Sequence, residues 1–269
     1  MSKIIAIANQ KGGVGKTTTC VSLSSFLAAM GKKTLVVDID PQGNATSAFG
    51  IEKRTLKRTV YNVLTGECDV QDATTATTLP GLDILPATID LAGAEIELVS
   101  MSGRDKALSK QLLGQKNLYD YIFIDCPPSL ALLTVNALSS ADSVLTPMQG
   151  EFFALEGLGQ LMNTINLVKK HYNPKLEIEG VVLTMFDNRS NLSRMVANEI
   201  KKFFATKVYS TLIPRSIRFG EAPSYGLPIL QFDPTGKGSL AYKSLAEEFL
   251  TRNKAKFTPL TNLGQFKKI

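Results

Sequence analysis

The chain has 269 residues, of which 44% are hydrophobic, so it is long enough to bury a full core. No apolar run approaches the roughly 20 residues that cross a bilayer, and the opening residues MSKIIAIANQ lack the pattern of a secretory leader. These features argue against a membrane-spanning or secreted class, and we expect a soluble, cytoplasmic protein with a net charge of +6.

The positive charge is unevenly distributed along the chain. Residues 251–269 carry five lysines or arginines and no acid, and residues 169–218 carry ten against four acids. Such an excess is compatible with an ordinary solvated surface, but it also suggests a polyanionic partner.

Cysteine and histidine are too sparse to indicate a metal site or a disulfide framework. Cys20, Cys68 and Cys126 are widely spaced without a CxxC pair, and His171 is the single histidine. We therefore expect reduced thiols that pack as small hydrophobic side chains.

Apolar runs rich in isoleucine and valine alternate with helical patterns from end to end. The predicted strands cover 3–8, 34–38, 82–85, 121–125, 143–147, 179–185 and 208–213. The predicted helices cover 16–30, 90–114, 130–140, 152–172, 192–205 and 238–250. Several strands are apolar at consecutive positions, as in a parallel sheet that is covered on both faces. The alternation predicts a doubly wound α/β fold, a mostly parallel sheet flanked by helices, in one domain over residues 1–250.

Two segments do not follow this alternation. Residues 51–80 are polar and weakly periodic, and we expect a surface excursion without assigned elements. Near the C-terminus, apolar side chains recur every three residues, at Phe257, Leu260, Leu263 and Phe266. This spacing drifts by about 60° per step around an α-helix and gives no single apolar stripe. We therefore expect residues 251–269 to form a mobile basic tail.

A glycine-rich loop, NQKGGVGKTT at residues 9–18, separates the first strand from the first helix. Glycines let such a loop direct backbone N–H groups toward an anion, and the helix N-terminus adds its positive dipole end. Gly15, Lys16 and Thr17 match the closing GK[ST] of a phosphate-binding loop, in which the lysine contacts phosphates and the hydroxyl holds Mg²⁺. The opening glycine of that motif is replaced by Gln10.

A dinucleotide site is the competing interpretation of this loop. Gly13 and Gly15 supply a GxG spacing and Asp38 follows the second strand, but the third glycine of that fingerprint would fall at Thr18. A dinucleotide site also has no use for the Gly-Lys-Thr triplet. The sequence therefore favours a nucleoside triphosphate.

Carboxylates follow two of the predicted strands. Asp125 ends YIFID, a position from which a carboxylate can hold Mg²⁺ through water. Asp38 and Asp40 end LVVDID, and Pro41 then stops regular strand pairing, which leaves Asp40 in a loop over the phosphate site. Asp38 fits a helix cap or turn as well as it fits a site residue.

Six stretches of the sequence occur together and in order: KGGVGKTT, DIDPQGN, FIDCPPS, EFFALEGL at 151–158, TMFDNRSNL at 184–192 and IPRSIRFGEAPSYGLPI at 213–229. They resemble the ParA/Soj ATPases of chromosome and plasmid partition, within the MinD-like deviant Walker A class. The resemblance covers residues 2–250 and implies a P-loop fold that binds ATP and Mg²⁺ and hydrolyses ATP. The segment beyond residue 250 lies outside it.

The resemblance implies a role for each matching residue of the loop. The residues that would contact ATP are Lys11, Gly12, Gly13, Val14, Gly15, Lys16, Thr17 and Thr18. Lys16 matches the lysine that contacts the phosphates of its own subunit, and Thr17 matches the magnesium ligand. Lys11 matches a signature lysine that reaches the nucleotide of the other subunit in an ATP-dependent homodimer.

Residues outside the loop also match. Asp125 corresponds to the Walker B acid, which holds the metal through water. Asp40 corresponds to the residue that activates or orients the attacking water, so that Lys11, Lys16 and Asp40 would be catalytic. Pro214 and Ser216 would lie beside the adenine.

The same resemblance implies macromolecular partners. ATP-bound dimers of this class bind double-stranded DNA non-specifically, and a ParB/Spo0J-like centromere-binding protein stimulates hydrolysis, which implies a nucleoid-associated protein. Arg189 and Arg218 match positions that contact DNA. Five further basic residues of the same stretch could assist: Arg194, Lys201, Lys202, Lys207 and Arg215.

Two alternatives remain within this superfamily. A MinD-type membrane-surface ATPase needs an amphipathic C-terminal helix, which the three-residue spacing near the C-terminus disfavours, so a membrane partner is not expected. An iron-sulfur reductase needs a cluster-ligand pattern that Cys126 and the two distant cysteines do not provide.

Overall fold

The computed structural model describes residues 2–129, 131–151 and 154–268. Its strands are β1 (Lys3–Ile7), β2 (Thr34–Asp38), β3 (Thr75–Ala76), β4 (Leu82–Leu85), β5 (Tyr121–Asp125), β6 (Ser143–Gln149), β7 (Glu177–Phe186) and β8 (Val208–Pro214). They form one sheet in the order β3-β4-β2-β5-β1-β6-β7-β8, in which only the β3–β4 pair is antiparallel within the described chain. The predicted doubly wound, mostly parallel α/β fold is therefore confirmed.

Helices cover both faces of the sheet. They are α1 (Lys16–Ala29), α2 (Asn44–Ala48), α3 (Val60–Thr65), α4 (Val70–Ala73), α5 (Leu91–Val99), α6 (Ala107–Leu112), α7 (Leu132–Ser140), α8 (Ala154–His171), α9 (Asn191–Phe204), α10 (Arg218–Glu221), α11 (Ile229–Phe232) and α12 (Lys237–Arg252). Among the described residues, no helix is both long enough and apolar enough to cross a membrane.

The central strands are buried on both faces, which explains their continuous apolar runs. In β1, Ile5 and Ile7 pack into the hydrophobic cluster on one face of the sheet. Ile4 and Ala6 pack into the cluster on the other face. Successive side chains of a strand point to opposite faces, so a strand between two helical layers must be apolar at every position.

Two internal segments, 90–114 and 51–80, differ from the predictions, as does the C-terminal segment described below. The helix predicted over 90–114 is interrupted after α5 by Gly103, which has φ 73°, and by a 3₁₀ turn at Arg104–Lys106. The polar segment 51–80 contains α3, α4 and β3 and buries the valines Val60, Val63 and Val70. Elements of two to six residues are too short to display a helical or strand period, which is why the sequence pattern missed them.

The C-terminal segment packs against the core, so the prediction of a mobile tail is wrong. Leu260 and Leu263 are buried, and Phe257 and Phe266 pack against the same hydrophobic cluster. The three-residue spacing fits the 3₁₀ turn at Leu263–Phe266, because a 3₁₀-helix has three residues per turn.

This packing also bears on the membrane-surface alternative. No α-helix forms within residues 254–268, all of which the structure describes. A membrane-binding helix in this segment would have to release the packing of Leu260 and Leu263 against the core.

Candidate nucleotide-binding site

Three neighbouring strands bring the predicted site residues to one edge of the sheet. In the parallel register, Asp38 of β2 pairs with Asp125 of β5, and Asp125 pairs with Ile7 of β1. The glycine-rich loop follows β1 directly, so the loop and both carboxylates meet at the carboxyl ends of the strands. Open α/β sheets bind their ligands at this edge.

The backbone of the loop is arranged to receive an anion. Gly13 and Gly15 have φ values of 72° and 87°, a left-handed conformation that L side chains rarely adopt. The carbonyls face away from the loop centre: Val14 O accepts from Thr184 Oγ1 at 2.8 Å, and Gly13 O accepts from Gln149 Nε2 at 3.1 Å. None of the backbone N–H groups of residues 12–18 donates to another described residue. These donors, at the start of α1, form an anion site of the kind found in phosphate-binding loops.

The two lysines of the loop lie in different environments. Lys16 is buried, and its Nζ donates to the carbonyl of Lys11 at 3.2 Å. Burial lowers the pKa of Lys16 from its ordinary value, and the charge of Asp125 opposes that shift. The Lys11 side chain is 36% exposed, and its Nζ pairs with Glu151 Oε2 at 2.6 Å. Lys16 is thus fixed inside the loop, whereas Lys11 lies at the surface and forms an ion pair with an exposed carboxylate.

Asp125 is a buried carboxylate without a hydrogen-bond partner. It is fully buried, and neither of its oxygens accepts a hydrogen bond within the described part of the chain. Burial and then the charge of Asp38 raise its pKa well above the ordinary value, while nearby Thr17 and Lys16 oppose the rise. Unpartnered buried charge is costly, so this carboxylate fits a site that a cation or its bound water completes.

Thr17 and Asp125 are the residues that could hold a magnesium ion. Mg²⁺ keeps several waters and is typically held by one or two protein oxygens together with phosphates. No group of three or more His, Cys, Asp or Glu among the described residues could form a metal cage of its own. The donor set therefore fits a metal that arrives with a phosphate ligand.

Asp38 and Asp40 have different contacts. Asp38 Oδ2 accepts from Thr46 N at 2.9 Å and from Thr46 Oγ1 at 2.8 Å, and Asp38 Oδ1 accepts from Asp40 N at 3.2 Å. Burial raises the pKa of Asp38 to about 6, and these hydrogen bonds oppose the rise. Asp38 thus tethers the loop to the sheet. Asp40 is 8% exposed, and its Oδ1 accepts from Gln42 N at 2.9 Å, which closes a turn beside the phosphate loop.

A cavity of about 250 Å³ lies beside the loop and holds the two residues expected at the adenine. Pro214 and Ser216 line it together with Gly15 and Thr18 of the loop. Phe219 and Tyr242, whose rings meet edge to face at 5.5 Å, complete the wall. No sequence pattern predicted this aromatic pair, although Phe219 lies within the stretch IPRSIRFGEAPSYGLPI.

Three further contacts near the site were also missed. Thr184 holds the loop carbonyl, Glu151 pairs with Lys11, and Lys53 donates to the backbone beside Asp40. Two of these residues lie within quoted stretches, TMFDNRSNL and EFFALEGL, but no local pattern reveals a contact between residues more than 100 positions apart. Phe152 and Phe153 of the second stretch lie outside the described residues.

The basic residues expected to contact DNA divide between two edges of the sheet. All seven are exposed: Arg189, Arg194, Arg215, Arg218, Lys201, Lys202 and Lys207. The four arginines follow β7 or β8, in the loops and helix starts at the carboxyl edge. The three lysines lie at the far end of α9 or just before β8, at the amino edge. Only the arginines share an edge with the phosphate loop.

Two of these basic residues form closely matched ion pairs. Arg218 pairs with Glu221 at 2.8 Å, and Lys202 pairs with Glu199 at 2.7 Å, each across three residues. Exposed pairs of this kind contribute about 0–1 kcal/mol, so phosphate groups can replace the glutamates at little cost.

Known proteins with similar sequences support the interpretation of this edge as a nucleotide-binding site. A family profile described as "AAA domain" matches residues 2–178. The chain is 58% identical over 248 residues to the sporulation initiation inhibitor protein Soj of Bacillus subtilis, covering 92% of this chain and 98% of that protein. It is 51% identical over 254 residues to the chromosome partitioning protein ParA of Caulobacter vibrioides, covering 94% and 95%.

A solved structure has the same fold. The cobyrinic acid a,c-diamide synthase of Mycobacterium smegmatis, solved with ADP and magnesium, superposes with a TM-score of 0.82 at 36% identity over 97% of this chain and 100% of that chain. The phosphate loop, the strand-end carboxylates and these similarities lead to one conclusion: the chain belongs to the ParA/Soj family of partitioning ATPases, within the deviant Walker A superfamily.

Proposed function

We propose that this protein is a Mg²⁺-dependent ATPase that converts ATP and water to ADP and phosphate in a DNA-partition system. One observation carries the proposal: a loop of free backbone N–H groups and the buried Lys16 lie opposite the unpartnered carboxylate of Asp125. The names of the Soj and ParA relatives, and the ADP and magnesium in the solved relative, support the same reaction class. Residues 1–250 would form the ATPase domain, and 251–269 its basic extension.

Each residue at the sheet edge has a role in this reaction. The N–H groups of residues 12–18 and the Lys16 ammonium bind the phosphates, and the adenine lies in the cavity beside Pro214 and Ser216. Thr17 and Asp125 would hold Mg²⁺, Thr17 through its hydroxyl and Asp125 through water, and the ion would supply charge neutralisation at the phosphates. Asp40 accepts a hydrogen bond from the attacking water and orients it toward the terminal phosphorus. Phosphoryl transfer depends mainly on such positioning and charge neutralisation.

Lys11 acts in an ATP-dependent homodimer. Its ammonium is held by Glu151, at the surface of the subunit rather than in its own phosphate loop. A partner's triphosphate carries more negative charge than one carboxylate, so Lys11 exchanges Glu151 for that phosphate when two ATP-bound subunits meet. Dimerisation then depends on ATP, and hydrolysis depends on dimerisation.

The dimer binds double-stranded DNA without sequence preference and associates with the nucleoid. The four arginines at the carboxyl edge, Arg189, Arg194, Arg215 and Arg218, form the main contact surface. They share an edge with the nucleotide, so dimer formation brings two such sets together. A ParB/Spo0J-like partner stimulates hydrolysis and thereby releases the DNA.

Nucleotide binding and hydrolysis with a matched pair of variants test the proposal. Lys16→Ala removes the buried ammonium and should weaken MgATP binding by at least 100-fold, with hydrolysis lost. Lys33→Ala removes an exposed lysine at the other end of α1 and should leave both unchanged. Isothermal titration with a non-hydrolysable ATP analogue measures the affinity. Equal affinity of Lys16→Ala and wild type would contradict the phosphate-loop assignment.

A further inference from the structure

The turn that carries Asp40 is held from the solvent side by Lys53, which matches no sequence motif. Lys53 Nζ donates to Gln42 O at 2.8 Å and to Gly43 O at 3.3 Å. Both carbonyls belong to the turn that begins at Asp40, because Gly43 N donates back to Asp40 O at 2.8 Å. One ammonium therefore binds the end of the turn at two points.

The opposite side of the same turn is held by the sheet. Asp38 accepts from Asp40 N and from Thr46, and Thr46 Oγ1 in turn accepts from Ala87 N at 2.9 Å. These bonds fix the position of Asp40, where the loop begins, and of Thr46 in α2, which follows the loop. They do not involve the carbonyl of Gln42, which among the described residues only Lys53 contacts. The carbonyl of Gly43 is shared, because it accepts from Lys53 Nζ and also from Ser47 N at 3.1 Å and Ser47 Oγ at 3.2 Å at the start of α2.

Gly43 makes the approach of Lys53 possible. Gly43 has φ 59°, and a Cβ at this position would lie 2.7 Å from Ala87 O and 3.0 Å from Lys53 Cδ. The glycine lets the turn lie between the sheet and the lysine. Lys53 has no carboxylate within 4 Å in the described chain, so its ammonium is not drawn to another site.

We infer that Lys53 is a positioning residue for ATP hydrolysis, which it serves by holding the 40–43 turn so that Asp40 faces the attacking water. This inference rests on the proposed function of Asp40. Hydrogen bonds from a charged donor are roughly twice as strong as neutral ones, and a displacement of about 1 Å at a reacting group can cost about 100-fold in rate. Lys53 contacts only backbone of the turn, so it acts on turnover and not on nucleotide affinity.

Solvent access to the 40–43 turn limits how far kcat falls when Lys53 is replaced. Lys53, Pro41 and Gln42 line an open cavity of about 990 Å³. Water in this cavity can replace the ammonium at the two carbonyls, so the turn loosens without collapsing when the lysine is removed. We therefore expect about a tenfold loss of kcat, less than the 100-fold limit for complete misplacement.

Three variants separate this role from a general effect on charge or stability. Lys53→Met keeps the aliphatic stem and removes the ammonium; it should lower kcat about tenfold while the affinity for MgATP stays within twofold. Lys53→Arg restores charge and donors and should recover at least half of the rate. Lys57→Met removes an exposed lysine of the same segment and should match wild type. Thermal melts monitor folding, and Lys53→Gln replaces the Met variant if that protein does not fold.

A double-mutant cycle with Asp40→Asn tests whether Lys53 acts through Asp40. If it does, the double variant Asp40→Asn/Lys53→Met should hydrolyse ATP at the rate of Asp40→Asn alone. Wild-type turnover of Lys53→Met, or losses that multiply in the double variant, would overturn the inference. Wild-type turnover of Asp40→Asn would instead remove Asp40 from the proposed function, and the role of Lys53 with it.

Discussion

The phosphate loop and the seven exposed basic residues use positive charge in opposite ways. Lys16 is buried, its ammonium donates a hydrogen bond to a backbone carbonyl, and the negative charge of Asp125 lies nearby. Its side chain therefore has one fixed orientation. Arg218 and Lys202 are exposed, and their glutamate partners are easily replaced. A buried charge must be matched by a specific ligand, whereas an exposed charge can bind any phosphate. Under the proposed function, this difference in burial would let one chain recognise one nucleotide and bind DNA of any sequence.

The largest expected effect comes from removing the unpartnered carboxylate. Asp125→Asn should lower Mg²⁺-dependent hydrolysis by about 100-fold and raise the magnesium concentration required for half-maximal rate, because the amide cannot hold the metal-bound water as a carboxylate does. Steady-state ATPase assays over a magnesium titration measure both. Asp69→Asn, at an exposed aspartate, is the control. An unchanged magnesium dependence would contradict the metal assignment.

The same variant, Asp125→Asn, should have the opposite effect on stability to its effect on activity. Burial and the charge of Asp38 raise the pKa of Asp125 in the folded protein, so burying this carboxyl group destabilises the nucleotide-free fold at neutral pH, where the unfolded chain carries it ionised in water. Asp125→Asn should therefore raise the melting temperature of the nucleotide-free protein while it lowers activity. A melting temperature below that of wild type would show that the carboxylate is satisfied in the folded chain.

A smaller effect distinguishes the exposed basic residues at the carboxyl edge of the sheet from those at the amino edge. Arg218→Glu should weaken binding to double-stranded DNA about tenfold in the ATP state and lower the salt dependence, because phosphate contacts are lost and repulsion is added. Lys202→Glu reverses the same kind of charge, in an equivalent ion pair at the amino edge, and should change affinity less than twofold. Fluorescence anisotropy at several salt concentrations measures both. Equal losses would extend the DNA surface around α9.

The smallest expected effect concerns the tether at Asp38. Its folded pKa of about 6 lies above the unfolded value of 3.8, so the folded state binds the proton more tightly and gains stability as pH falls from 7 toward 4. Lowering the pH from 7 to 5.5 should therefore increase the unfolding free energy of wild type relative to that of Asp38→Asn by about 1 kcal/mol. Urea unfolding at the two pH values measures it. A constant difference would mean that Asp38 titrates normally.

Much of the fold and the centre of the site could be predicted from sequence because both depend on local patterns. Consecutive apolar residues identify the strands of a covered parallel sheet, and strand ends then place Asp38, Asp40 and Asp125 at one edge. The Gly-Lys-Thr triplet after β1 identifies the loop. These features need no knowledge of which residues meet in three dimensions.

The remaining features depend on contacts between distant parts of the chain. Glu151 meets Lys11 across 140 residues, and Thr184 meets the carbonyl of Val14 across 170. The division of the basic residues follows from strand direction, which places Arg218 and Lys202 at opposite edges although only 16 positions separate them. The C-terminal segment was misjudged because an α-helical period was applied to residues that form a 3₁₀ turn and extended chain.

We expect the two lysines of one loop to serve different nucleotides, Lys16 its own and Lys11 that of the partner subunit. The test is sedimentation velocity of Lys11→Ala with a non-hydrolysable ATP analogue and Mg²⁺. The nucleotide affinity is measured on the same sample. Lys11→Ala should remain a monomer, and its Kd for the nucleotide should stay within about threefold of that of the wild-type monomer. A Lys11→Ala protein that dimerises like wild type, or that loses nucleotide binding as Lys16→Ala does, would contradict it.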